Sequence, residues 1–225
     1  MTRQVTKGRC AYCDRDFANS GMSRHLQSCG ARQQALAATQ AVTDVTQTLY
    51  HLMVRDAASP LFWLHLEMRG AAKLEDLDAY LRAIWLECCG HLSNFAFKGS
   101  YDELPMGRRV DKLFEPGLEL LHTYDYGTTS ETLVKVVSAR RGKPTTEHPI
   151  ALMARNLIPE VVCIQCGAPA AFLCQECIYE DNTSGLLCAE HAKNHPHEDY
   201  GEPIALVTSP RLGMCGYTGP ADPPY

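Results

Sequence analysis

The chain has 225 residues, of which 45% are hydrophobic and 21% are charged, and its formal net charge is −5. This composition is ordinary for a soluble globular protein. No run of 18 apolar residues occurs, and no apolar stretch follows the N-terminal charges, so we expect no membrane span, no secretory signal and a cytoplasmic protein.

The charge is distributed unevenly along the chain. Residues 1–32 contain six basic and two acidic residues, a net charge of +4, so the remainder carries −9. A basic head on an acidic body is compatible with nucleic-acid binding through residues 1–32. The alternative is a short solvated arm without a binding role.

Eleven cysteines dominate the chemistry of this sequence. No secretory signal is predicted, the count is odd, and most cysteines occur in Cys-x-x-Cys pairs near histidines. Two sulfurs at that spacing can turn toward one ion, so the pattern indicates zinc ligands rather than disulfides.

The first cysteine–histidine group is predicted to form a zinc finger within residues 1–32. Its ligands are Cys10, Cys13, His25 and Cys29, and the last two lie four apart, on one face of a helix. So short a segment has little core, so metal must supply most of its stability, on the order of 10 kcal/mol. The group resembles single zinc fingers of the Cys-Cys-His-Cys type, although one residue fewer separates its inner ligands than in the related Cys-Cys-His-His class.

The finger also carries the candidate nucleic-acid contacts. Arg24 and Gln27 lie on the predicted finger helix, and Arg9 and Lys7 lie before it. One finger reads about three base pairs, which rarely provides sufficient affinity alone. The finger is therefore predicted to contact either nucleic acid or a protein partner.

After the finger, residues 33–48 are predicted to form a helical connector and residues 49–157 an α+β domain. Alternation and periodicity predict a core helix over Leu74–Trp85 that stops near Gly90. The predicted strands are Leu49–Val54, Leu61–Met68, Glu119–Tyr124, Thr132–Ala139 and Ile150–Met153. The expected fold class is α+β, a central curved sheet packed on one or two helices and flanked by two small zinc-stabilised modules.

Residues 158–205 are predicted to form a second zinc module with two interleaved sites. The eight candidate ligands are Cys163, Cys166, Cys174, Cys177, Cys188, His191, His195 and His197. The first and third pairs would hold one ion and the second and fourth pairs another, giving three zinc ions in the chain. A single site formed by the first four cysteines is the alternative. The pattern resembles B-box cross-brace modules, which implies that this region docks a protein.

The middle segment resembles the pRiA4b plasmid ORF-3-like family. The segments that carry the resemblance are Tyr50–Val54, Leu61–Met68, Leu74–Trp85, Gly90–Phe95, Tyr124–Gly127 and Leu133–Val137. The resemblance implies a curved sheet around one or two helices, but no defined activity. Family members usually continue the turn at Gly127 with acidic residues, a Trp and a His, whereas this chain continues with Thr and Ser.

The remaining chemistry-bearing residues favour no catalytic site. Cys88 and Cys89 follow the core helix and are predicted to be small core hydrophobes, although a thiol near His91 could act as a nucleophile. Cys215, in a predicted irregular tail (206–225), lies outside the zinc pattern and is predicted to be buried. No catalytic motif and no small-molecule substrate are identified.

The sequence therefore predicts a non-enzymatic zinc-binding adaptor. Two alternatives stay open, a protein–protein scaffold without nucleic-acid binding and an enzyme of unknown reaction in the middle domain.

Overall fold

A computed structural model describes residues 6–40 and 46–225 of the chain. The fold is α+β, with a large antiparallel sheet, few helices and small Cys/His clusters near both ends, as predicted. Residues 1–5 of the predicted basic head and residues 41–45 of the predicted connector lie outside the described residues. Among the described residues, no helix is both long and apolar enough to cross a membrane.

The large sheet contains nine strands in the order β2–β1–β9–β4–β3–β8–β7–β5–β6. In chain order they are β1 (Lys7–Cys10), β2 (Asp16–Ala18), β3 (Gln47–Asp56), β4 (Trp63–Arg69), β5 (Ser93–Phe97), β6 (Glu103–Leu104), β7 (Glu119–Tyr124), β8 (Ser130–Gly142) and β9 (Ile150–Asn156). The five predicted strands correspond to β3, β4, β7, β8 and β9. Strands β5 and β6 are too short to give a clear alternation, and the sequence did not predict them.

Three helices accompany this sheet: α1 (Asn19–Ser28), α2 (Gly30–Gln40) and α3 (Leu74–Leu81). Helix α2 covers the first part of the predicted connector. The predicted core helix is confirmed as α3, which starts where the Asp76 carboxylate accepts from the Lys73 backbone N–H. A turn of π-helix over Arg82–Leu86 then extends it.

Strand β4 lies at the centre of the molecule and is covered on both faces. Leu64, Leu66 and Met68 point into the main core, where they join the apolar side chains of α3. Trp63 points the other way, into a second core shared with the zinc-finger segment. Because both faces are covered, even the polar residues His65 and Glu67 of β4 are buried.

The finger segment is part of the large sheet and not a separate arm. Strand β1 pairs with β2 on one side and with β9 on the other, so that Cys10 lies opposite Ala154. Buried Met22 and Leu26 of α1 pack with Trp63 and Met153. Folding of the finger is therefore coupled to the edge of the central sheet.

The C-terminal module has its own small sheet of three strands, in the order β11–β10–β12. Its elements are β10 (Phe172–Leu173), α4 (Gln175–Tyr179), β11 (Leu186–Leu187), α5 (Ala189–Lys193) and β12 (Ile204–Ala205). The tail that follows is irregular, as predicted, but it packs against the central domain. Ser209 donates to the carbonyl of Trp85 at 2.7 Å, and Arg211 is fully buried.

Candidate metal centres

The four finger residues predicted as ligands come together in the structure. The ligand atoms of Cys10, Cys13, His25 and Cys29 all lie within 4.8 Å of one another. Cys13 Sγ lies 3.4 Å from His25 Nε2. Cys10 ends β1, Cys13 lies in the turn before β2, and α1 carries His25 and ends at Cys29. The hairpin and the helix thus deliver two ligands each, as a tetrahedral zinc requires.

The finger environment suits a neutral imidazole. Burial, together with the positive charge of Arg15, lowers the pKa of His25. The ring of Phe17 stacks on that of His25 with centroids 3.8 Å apart, which fixes the imidazole plane. Burial also raises the pKa of the Cys10 thiol to about 11, so a metal ion would have to displace this proton.

The predicted nucleic-acid contacts are all on the surface of the finger. Lys7, Arg9, Arg24 and Gln27 are exposed. Arg9, however, makes a two-point ion pair with Asp16 at 2.9 and 3.2 Å, which offsets part of the positive charge. Arg24 and Gln27 lie on the face of α1 opposite the buried Met22 and Leu26 side chains.

In the C-terminal module, the structure gathers the eight predicted ligands into two interleaved sets. One set contains Cys163, Cys166, Cys188 and His191, and the other contains Cys174, Cys177, His195 and His197. Within each set, all ligand atoms lie within 4.8 Å of one another. The alternative set of the first four cysteines does not form, because the 163–166 and 174–177 pairs belong to different clusters.

Two short helices present four of these eight ligands. Cys174 precedes α4, and its Sγ accepts from the backbone N–H of Cys177 at 3.4 Å. Cys188 precedes α5, which carries His191. The interleaving ties both halves of the module together, so that neither site can form without most of the segment being folded.

The surroundings of Cys163 stabilise its thiolate, the form that binds a metal ion. Burial raises its pKa, but backbone N–H donors of Cys188, Gln165 and Cys166 outweigh this effect and lower the pKa to about 6. A thiol with such a pKa is largely thiolate at neutral pH, and thiolate is the form that binds zinc.

A fourth cluster, which the sequence analysis did not predict, contains Cys88, Cys89, His91 and Cys215. The interpretation as a core residue is wrong for Cys89, which is exposed, whereas Cys88 is partly buried and packs against the main core. Cys215 is exposed as well, so its predicted burial is wrong. The tail folds back and places Cys215 beside the loop after the core helix.

The four clusters together contain all eleven cysteines of the chain. The cysteines that the three predicted sites leave unassigned could therefore have indicated the fourth site. Cys88, Cys89 and His91 provide three ligands within four positions, and Cys215 is the cysteine left over from the other three sets. The spacing is unlike Cys-x-x-Cys, and its last member is more than 120 residues away in sequence.

Two polar pairs lie inside the central domain. His51 Nε2 lies 2.8 Å from His65 Nδ1, and His122 Nε2 lies 2.7 Å from Asp78 Oδ1. Asp78, on α3, is buried against His122. We interpret both pairs as structural hydrogen bonds, because buried polar atoms are usually paired with another protein atom when water cannot reach them.

Comparisons with known proteins assign no family and no function to this chain. No family model and no curated protein matches the sequence. One solved structure to which the chain is similar is the protein of unknown function MM3350 from Methanosarcina mazei Go1. It is 20% identical, has a TM-score of 0.46, and the match covers 68% of this chain and 86% of that chain.

Proposed function

We propose that this protein is a non-enzymatic, zinc-dependent adaptor whose C-terminal module docks a basic segment of a partner protein. The observation that carries the proposal is an exposed acidic and aromatic surface on that module. Four-ligand clusters also favour a structural role for the metal, because they leave no open position for a water or substrate. Residues 49–157 would then act as a pRiA4b ORF-3-like scaffold, and their antiparallel sheet packed on α3 is compatible with that role.

The surface, here called the acidic–aromatic patch, consists of Tyr179, Glu180, Asp181, Asp199 and Tyr200. The two tyrosine rings have centroids 5.6 Å apart and are 54% and 44% exposed. Tyr200 donates to Glu180 at 2.7 Å. Asp181 lies 3.6 Å from the candidate ligand His197, so that the patch is attached to a metal cluster.

The charge of the module determines which partner fits this patch. Residues 158–205 contain eight acidic residues and one basic residue, a net charge of −7 with neutral histidines. Such a surface repels nucleic acid and attracts Lys and Arg side chains. Exposed tyrosine faces add cation–π contacts with the same side chains, and tyrosine is enriched at protein interfaces.

Peptide display tests this proposal and does not require the partner to be identified first. A random peptide library is selected on the zinc-loaded full chain and compared with the Glu180→Lys, Asp181→Lys double variant. The matched control is Glu115→Lys, Glu131→Lys, which makes the same change in net charge at exposed positions of the central domain. We expect enriched basic peptides that bind the wild type and the control but not the patch variant. Enriched peptides that bind all three proteins equally would contradict the patch.

The finger provides a second candidate activity, contact with nucleic acid, supported by exposed Arg24 and Gln27 on the outer face of α1. Deleting the finger is a poor test, because β1 pairs with β9 and its loss would expose Trp63. Labelled DNA and RNA are better titrated across a salt series with Arg24→Glu and, as a control, with Arg108→Glu in the central domain.

Binding that weakens steeply with salt and is lost only in Arg24→Glu would support this activity. If neither the wild type nor either variant binds nucleic acid near physiological salt, the proposed function is a protein–protein scaffold without a nucleic-acid role.

A further inference from the structure

We propose that Cys88, Cys89, His91 and Cys215 form a fourth zinc site, which clasps the C-terminal tail to the central domain. Three ligands lie in the loop after the π-helical turn Arg82–Leu86, and the fourth lies in the tail. This site goes beyond the adaptor function, and either proposal can fail without the other.

The sulfur–sulfur distances match the edges of a zinc tetrahedron, and the sulfur–nitrogen distances are a few tenths of an ångström shorter than such an edge. For a Zn–S bond of about 2.3 Å and a Zn–N bond of about 2.0 Å, tetrahedral geometry separates two sulfurs by about 3.8 Å and a sulfur and a nitrogen by about 3.5 Å. The Sγ atom of Cys89 lies 3.7 Å from that of Cys88 and 3.8 Å from that of Cys215. His91 Nε2 lies 3.0 and 3.3 Å from the sulfurs of Cys89 and Cys215.

The surroundings provide the outer contacts that a thiolate site needs. Arg211 Nη2 donates to Cys88 Sγ at 3.4 Å, and Tyr124 Oη lies 3.8 Å from the same sulfur. Arg211 is fully buried and also donates to Asp125 at 2.6 Å. Three thiolates, a neutral imidazole and Zn²⁺ carry a net charge of −1, so an adjacent guanidinium is electrostatically favourable. Such outer-sphere donors orient ligands and tune metal affinity.

The backbone conformation of the tail places Cys215 beside the Cys89–His91 loop. This residue has φ +49° and ψ +40°, a left-handed conformation that is uncommon for a residue with a side chain. It lies between Gly213 and Gly216, which also have positive φ. The tight turn that results brings the Cys215 sulfur to the Cys89–His91 loop, 126 positions from Cys89.

Exposure distinguishes this site from the other three. Cys89 and Cys215 are exposed and no member of the set is buried, whereas each of the other three sets contains at least one buried residue. Ligands in contact with water are more accessible to a chelator. We therefore expect the clasp zinc to be the first that leaves the protein.

Native mass spectrometry of the reduced, zinc-loaded full chain tests the clasp directly. We expect four zinc ions on the wild type, three on Cys215→Ser, and four on the control Thr218→Ala, an exposed tail residue outside the cluster. Retention of three ions by Cys215→Ser also shows that the variant has folded. Amide exchange should increase in the tail (206–217) and in the 88–91 loop of Cys215→Ser, and should be unchanged in the finger and the C-terminal module.

Two outcomes would overturn the clasp. One is an equal zinc count in the wild type and Cys215→Ser. The other is a wild-type chain, purified without reductant, that carries three ions and a mass two hydrogens lower, with peptide mapping that places a disulfide between Cys89 and Cys215. If Cys215→Ser binds fewer than three ions, His91→Gln replaces it as the test, with the same expected loss of one ion.

Discussion

The indole ring of Trp63 occupies the space beside the Cα atom of Gly8. A Cβ atom placed on Gly8 would overlap both this ring and the carbonyl oxygen of Arg155. Trp63 Nε1 also donates to Thr6 Oγ1 at 3.0 Å. The finger strand therefore lies directly against a buried side chain of the central sheet.

This contact predicts that Gly8→Ala destabilises the whole protein. The added methyl group must displace a buried indole and a backbone carbonyl, which typically costs about 1–3 kcal/mol. Gly21→Ala is a matched control, because nothing lies within 4 Å of the added Cβ and alanine is the better helix former in α1. Denaturant unfolding at fixed zinc concentration should show lower stability for Gly8→Ala and unchanged or higher stability for Gly21→Ala.

Loss of a finger ligand should also loosen the edge of the sheet. We expect His25→Ala to lose one zinc ion and to increase amide exchange in β9, since Met153 and Ala154 belong to the same core as Met22 and Leu26. His148→Ala is the control, because His148 is exposed and outside all four clusters. Unchanged protection of β9 in His25→Ala would show that the finger folds independently.

The buried His51–His65 pair predicts a loss of stability in mild acid. Burial lowers the pKa of His51 to about 4 and that of His65 to about 3, so both are neutral in the folded protein at neutral pH. Below a pKa of about 6.5 the unfolded chain binds protons that the folded chain does not, and stability falls as the pH decreases. From about pH 7.5 to about pH 6, the pair should reduce the unfolding free energy by about 1.5 kcal/mol.

Urea unfolding at both pH values measures this effect, with the zinc content checked at each. The His51→Leu, His65→Leu double variant removes both partners of the hydrogen bond and should lose this part of the pH dependence. An unchanged dependence in the double variant would assign the acid sensitivity to other groups.

Arg211 should be indispensable for docking of the tail. It donates to Asp125 at 2.6 Å, and to the Thr128 carbonyl and Ser130 Oγ at 2.8 Å each. Arg211→Ala removes the buried positive charge that pairs with Asp125 and the donor to Ser130, so we expect a melting temperature lower by several degrees and rapid proteolysis after residue 206. Arg211→Lys should restore little, because one ammonium group cannot reproduce the planar fork. Arg108→Ala, at an exposed position, should behave like the wild type.

Local patterns in the sequence predicted the parts of the structure that depend on near neighbours. Alternation identified β3 and β4, periodicity identified α3, and ligand spacing predicted the two interleaved sets that the structure brings together. Long-range contacts had no such signal. Nothing in the sequence showed that β1 would pair with β9, or that Asp78 would meet His122 across the core. Cys215 could be assigned only by noticing that it and the Cys88–His91 segment remained unused.

We expect zinc to stabilise the folded structure at both ends of the chain. Native mass spectrometry of Cys215→Ser, in which the clasp site is removed, measures the other three sites without interference. We predict three zinc ions, and loss of the finger and C-terminal folds when a strong chelator removes them. A folded chain that carries no zinc before chelation, or that is unchanged after it, would contradict the account.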